Sequence, residues 1–104
     1  MNIAKMMKQA QKMQADMQKI QEDLAQRSYT AECAGGKIRA VAGGDGELKS
    51  ITIHPDLIRD AANDAEMLED LILTAVRQAV DMGKDEAQKE MGKLTSGLGI
   101  PGLG

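Results

Sequence analysis

The sequence predicts an α+β domain with the order α-β-β-β-α: a long helix, a three-stranded antiparallel meander and a second long helix. Three observations carry this expectation. An apolar seven-residue repeat runs from Ile3 to Leu24. The period then falls to two between Ser28 and His54, interrupted by two glycine clusters. After Pro55 a helical stripe resumes and holds from Leu68 to Val80.

The first helix is expected over residues 2–26. Ile3, Met6, Ala10, Met13, Met17, Ile20 and Leu24 are separated by alternating steps of three and four, which puts them on one narrow seam. The fill between them is mostly Gln, Lys, Ala and Glu, all good helix formers, and neither Gly nor Pro interrupts it. Such a helix reaches roughly 33 Å, about the width of a small domain, so it projects from whatever body the chain forms. A narrow seam calls for a partner helix, which points to a homodimer. Lys5, Lys8 and Lys12 recur at helical spacing and are expected on one stripe beside that seam, with Lys19 extending it.

Strands are expected over 28–34, 37–42 and 47–54. Tyr29, Ala31 and Cys33 alternate with Thr30, Glu32 and Ala34, and Gly35-Gly36 suits a tight hairpin. A second turn falls at Gly43-Gly44-Asp45-Gly46. No Lys-Ser/Thr follows these glycines and strands flank them on both sides, so turn chemistry explains them better than a phosphate loop. Leu48 is out of phase with Ile51 and Ile53, which predicts a bulge or a late strand start. Pro55 closes the third strand. Leu57 and Ile58 are expected in a short turn that packs on the sheet.

The second helix is expected over 64–94, capped by Asn63 or Asp64, with Glu66 placed as in a capping box on Asn63. The acids at its start suit the helix dipole without invoking a metal. Leu68, Leu71, Ile72, Ala75, Val76, Ala79 and Val80 form a broad stripe fit to cover a sheet. Beyond Gly83 the stripe thins, so the last turns are expected to run out from the body. Residues 1–96 read as one domain, followed by a flexible Gly/Leu/Pro tail at 97–104.

Composition narrows the function. The 104 residues contain neither Phe nor Trp, and Tyr29 is the only aromatic, so a core built from one chain is thin. A single cysteine excludes an intrachain disulfide and suits a cytoplasmic protein. No apolar run is long enough to span a membrane. Net charge is −3, yet residues 1–20 hold four Lys against one Asp, while 51–70 hold Arg59 against six acids. One tyrosine cannot supply the stacking platforms of a single-strand binder. Any nucleic-acid contact therefore rests on cations meeting phosphates, which is salt-sensitive and largely blind to sequence.

No constellation for catalysis emerges. His54 is the only histidine and has no metal-ligand partner at usable spacing, so a strand-end role is expected. Cys33 sits in an alternating strand as a small core residue. Neither serine at 28 or 50 has the setting of a nucleophile. No catalytic residue, metal, cofactor or small-molecule substrate is expected.

Four segments in order carry a resemblance across nearly the whole chain: Met7-Lys-Gln-Ala-Gln-Lys-Met-Gln14, Gly46-Glu-Leu-Lys-Ser-Ile-Thr-Ile53 running into Pro55, Glu66-Met-Leu-Glu-Asp-Leu-Ile72, and Lys93-Leu-Thr-Ser-Gly-Leu-Gly99. Together they resemble the YbaB/EbfC family of bacterial nucleoid-associated proteins. Departures fall at His54, where that family usually has Asp, at Gly43-Gly44, and at Arg77-Gln78. The resemblance implies a cytoplasmic, tweezer-like homodimer whose two long helices protrude from a central sheet and which binds and reshapes double-stranded DNA. The DNA-contacting candidates are Lys5, Lys8, Lys12 and Lys19, joined by Lys84, Lys89 and Lys93 near the far end of the second helix. The alternative is a protein-interaction module that uses the Met-rich seam to receive a partner helix.

Overall fold

A computed structural model describes residues 2–97. Its elements are α1 (Ile3–Gln26), β1 (Tyr29–Cys33), β2 (Ile38–Ala42), β3 (Leu48–Ile53), α2 (Pro55–Asp60) and α3 (Ala65–Gly97). The three strands form one antiparallel sheet in the order β1-β2-β3. The radius of gyration is 19.7 Å, against roughly 13 Å for a compact domain of this length. The excess comes from the long helices, and the molecule measures 70 × 24 × 17 Å.

Asn2 caps α1, its side chain accepting from the Lys5 backbone N at 3.2 Å. The β1–β2 hairpin closes through Ala34, Gly35 and Gly36, all with positive φ. Between β2 and β3 the register slips at Val41/Ala42, so Ala42 faces Leu48 while Val41 faces Ser50. This leaves Lys49 unpaired in the ladder: it is the bulge that the phase of Leu48 predicts.

The register puts the apolar residues of all three strands on one face. Ile38 pairs with Cys33 and Ile53, Ala40 with Ala31 and Ile51, and Ala42 with Tyr29 and Leu48. Helix α3 lies over this face at β1 and β2 and barely reaches β3. The buried core joins Ala31, Ile38, Ala40, Ala42 and Leu57 to Ala75 and Ala79, with Leu68, Leu71, Ile72, Val76 and Val80 packed around it. Alanine on both layers lets helix and sheet approach closely. Each alanine buries only a methyl group, however, worth less than the ~1.5–3 kcal/mol of a buried Leu or Ile.

Two local expectations are corrected. The segment after Pro55 is a six-residue helix, α2, rather than a turn. Pro55 suits its first turn, where the missing N–H has no helical partner to lose. His54 caps it, Nδ1 accepting from the Asp56 backbone N at 3.1 Å. Adjacent residues on a helix point about 100° apart, so only one of the pair meets the sheet. Leu57 is buried and Ile58 is exposed. At the start of α3 the cap is Asp64, whose Oδ1 accepts from the Met67 backbone N at 3.1 Å. The residue three after the cap is therefore Met67, so Glu66 does not complete a capping box. Gly97 is the last residue of α3, and the rest of the expected tail lies outside the described residues.

Candidate functional site

The C-terminal end of α1 is set into the body by close backbone contact. Leu24 is the one buried residue of α1. Its carbonyl accepts from the Gly44 backbone N at 2.7 Å. A Cβ added at Gly44 would lie 2.8 Å from Leu24 side-chain and carbonyl atoms. On the other side of the same turn, a Cβ on Gly83 of α3 would run into the Gly43 carbonyl oxygen. The turn is thus wedged between the two long helices. Gly44 has no positive φ and serves close approach, as does Gly83; of this turn's glycines only Gly46 has a positive φ.

Arg27 closes the joint. Its guanidinium meets Asp23 on α1 through Nε at 3.0 Å and Nη2 at 2.7 Å. Its Nη1 reaches Glu86 at 3.4 Å and Glu90 at 3.7 Å on α3. Its backbone carbonyl accepts from Lys49 Nζ at 2.9 Å, which ties in the bulge of β3. The Tyr29 hydroxyl first, and then Asp23, hold the guanidinium above even its ordinary high range, so it stays charged.

From this joint the two helices run antiparallel. Half-buried positions on α1 (Met13, Asp16 and Ile20) are matched by half-buried Glu86, Ala87, Glu90, Met91, Leu94 and Thr95 on α3. A groove of about 480 Å³ opens in the crotch, lined by Gln21, Leu24, Gly44, Asp45, Lys84, Ala87, Gln88 and Met91. It holds one lysine and one aspartate and no nucleophile or histidine. From Leu24 back to Ile3 is roughly 32 Å of helix, whereas from Gly83, which faces the same turn, on to Gly97 is roughly 21 Å. The first turns of α1 therefore extend beyond the described end of α3, and residues 2–12 are all exposed.

Lys5, Lys8 and Lys12 occupy that projecting rod and Lys19 lies further back, where α1 faces α3; none is beside the seam as expected. At about 100° per residue, Lys5, Lys8, Lys12 and Lys19 fall within an arc of roughly 60°, on the far side of the helix from Ile3, Met6, Ala10, Met13, Met17, Ile20 and Leu24. The seam and the charge thus serve different directions. Ile3, Met6, Ala10 and Met17 are exposed in the single chain, Met13 and Ile20 are half-buried, and Leu24 is buried.

Ion pairs hold many of the cations outside α1 but none of its lysines. In the body, Arg39 pairs with Glu32 at 2.8 Å, Arg59 with Asp56 at 2.6 Å and Lys37 with Asp60 at 4.0 Å. On α3, Lys93 pairs with Glu90 at 3.3 Å. Among the described residues no carboxylate lies within 4.0 Å of Lys5, Lys8, Lys12, Lys19, Lys84 or Lys89. The α3 lysines do not share one face: at helical pitch Lys89 and Lys93 point to a different side from Lys84, which borders the groove. The structure therefore gathers the four α1 lysines and scatters the three on α3. Arg27, Gly44 and Gly83 carry no functional signal in the local sequence pattern. A glycine inside a helical stripe, as at Gly83, is itself a signal of close packing.

Other chemistry finds little purchase among the described residues. No group of three or more His, Cys, Asp or Glu is placed to hold a metal ion. No helix is long and apolar enough to cross a membrane. Cys33 is half-buried, and its thiol donates to the Leu71 carbonyl at 3.2 Å.

Comparison with known proteins agrees with the architecture. Residues 1–98 match the model of the YbaB/EbfC DNA-binding family. A nucleoid-associated protein of Thermoanaerobacter pseudethanolicus is 48% identical over 102 residues, covering 98% of this chain and 90% of the relative. A nucleoid-associated protein of Desulforamulus reducens is 50% identical over 102 residues, covering 98% and 95%. The crystal structure of an uncharacterized protein from Helicobacter pylori superposes with a TM-score of 0.80 at 15% identity, covering 91% of this chain and 98% of that one. At that identity the likeness concerns the fold alone.

Proposed function

The chain belongs to the YbaB/EbfC DNA-binding family and is a nucleoid-associated DNA-binding protein, and we propose that it grips duplex DNA as a homodimer through the backbone phosphates. The observation that carries this reading is the stripe of four unpaired lysines along α1, three of them on the part that projects from the body. Each offers a flexible ammonium to a phosphate and displaces a condensed counterion. A lysine stripe meets the backbone as a row of point charges, and no set of base-reading residues accompanies it, so binding is largely indifferent to sequence. Two rods in one dimer, held at a set spacing, deform the duplex between them. On this reading the protein works on the nucleoid, in the cytoplasm, and changes DNA compaction and gene expression without being an enzyme.

The dimer rests on uncovered apolar surface. Leu48 and Ile51 are 39% and 40% exposed on the same sheet face that is sealed at β2; on α3, Leu73 is exposed on one flank and Met67 and Met82 on the other. A second chain covering the open β3 face supplies burial that an alanine-rich core lacks. The exposed seam at Ile3, Met6 and Met17 also favours a second reading, in which α1 receives a helix from another protein. Protection of these methionines from oxidation in the homodimer excludes it; their free oxidation there supports it.

The test is titration of unrelated duplexes over a salt series. Affinity that falls steeply with salt and hardly varies with sequence supports phosphate gripping. Absence of binding at low salt overturns it.

A further inference from the structure

We propose that Arg27 is a positioning residue for DNA binding: by gripping Glu86 and Glu90 across the joint, it fixes the angle at which α1 carries its lysines away from the body. This rests on the phosphate-gripping reading above.

Beyond this joint α1 rests on α3 through half-buried Met13, Asp16 and Ile20. It buries Leu24 alone, and apolar contact is not directional. The bond from the Gly44 backbone N to the Leu24 carbonyl pins one point, and the half-buried contacts with α3 limit the swing about it without setting its plane. Arg27 adds the second and third points. Its planar fork holds Asp23 on its own helix while Nη1 faces Glu86 and Glu90 on α3. Lysine has no fork and cannot hold both sides in a fixed plane.

The lever arm makes this matter. A swing of about 10° at Leu24, carried along roughly 32 Å of helix, moves the tip by roughly 6 Å. Successive phosphates on one strand are about 3.4 Å apart along the duplex axis. A joint that swings this much carries Lys5 and Lys8 past one phosphate spacing, moves Lys12 by about one and Lys19 by much less, and so lowers the population in which the lysines match the phosphates together. The residue touches no DNA itself; it acts through Lys5, Lys8, Lys12 and Lys19.

The test measures the swing and the binding separately. Spin labels are placed at Gln9→Cys on α1 and Gln78→Cys on α3, both exposed positions, in a Cys33→Ser background. Labelled chain is diluted with unlabelled chain so that distances within one protomer dominate. The expected result is a narrow distance distribution, broadened by Arg27→Gln and less so by Arg27→Lys, which keeps the charge. In unlabelled protein, Arg27→Gln weakens duplex binding by about three- to tenfold at low salt, more than Arg59→Gln, which removes the same charge from α2. Arg27→Lys falls between wild type and Arg27→Gln. An unchanged distance distribution in Arg27→Gln overturns the proposal. So does a broadened distribution with a binding loss no larger than that of Arg59→Gln. If wild type fails to bind DNA at all, the phosphate-gripping reading fails with it, whereas binding by wild type with either overturning result removes the role of Arg27 alone.

Discussion

The two ends of α1 are built on opposite terms. At Leu24 the helix is buried, its carbonyl bonded to a turn that is wedged against α3, and the next residues carry an ion-paired arginine. At Ile3 to Lys12 it is exposed on every side, with lysines that meet no carboxylate. One helix thus serves as anchor and as probe. The contrast teaches that stability and binding are separable along a single element: changes at the anchored end should alter folding, and changes at the free end should alter DNA affinity while the fold stays intact.

The strongest challenge to the anchor is Leu24→Ala. It removes the one buried side chain of α1 and should cost about 2–4 kcal/mol, read by chemical denaturation. A cost below about 1 kcal/mol means that α1 is not seated as described.

A sharper contrast uses two glycines inside α3. Replacing either by alanine gains up to about 1 kcal/mol of helix propensity. At Gly83 the new Cβ meets the Gly43 carbonyl, so the net change should be destabilising by about 1–3 kcal/mol. At Gly92 nothing lies within 4 Å of the new Cβ, so Gly92→Ala should stabilise by up to about 1 kcal/mol. The two Tm shifts should have opposite signs, and equal signs break the account of the joint.

The sheet offers a parallel contrast. Ile38, Ala40 and Ala42 are sealed under α3, while Ile51 and Leu48, the β3 partners of Ala40 and Ala42, are about 40% exposed on the same face. Ile51→Lys should leave the chain folded and move sedimentation from dimer to monomer. A variant that stays dimeric places the interface elsewhere.

Much of this is legible in the sequence because periodicity reports local structure. The heptad of α1, the alternation of the strands, the phase slip at Leu48 and the stripe of α3 each follow from neighbouring residues. What is not legible depends on how elements cross. Nothing near Arg27 in sequence names Glu86 or Glu90 as its partners. Helix α3 crosses over β1 and β2 rather than β3, and no pattern within β3 reveals that its apolar face is left open. Glycines at 43 and 44 suggest a turn because turn chemistry is the common reason for such a cluster; at Gly44 the reason is a helix pressed against the backbone. The lysine stripe and its side of α1 are both set by spacing: at about 100° per residue the four lysines fall away from the seam, which an expectation of one stripe beside it overlooks.

The most direct measurement compares wild type with a variant carrying Lys5→Gln, Lys8→Gln, Lys12→Gln and Lys19→Gln. Duplex affinity is followed over a salt series, with Tm and sedimentation alongside. The account predicts unchanged Tm and association state and affinity lower by at least about tenfold at low salt. It also predicts a shallower log–log slope, by up to about 0.9 for each phosphate that is no longer neutralised. The same affinity and the same slope in the variant would contradict it, and the DNA surface would then have to lie off the projecting helix.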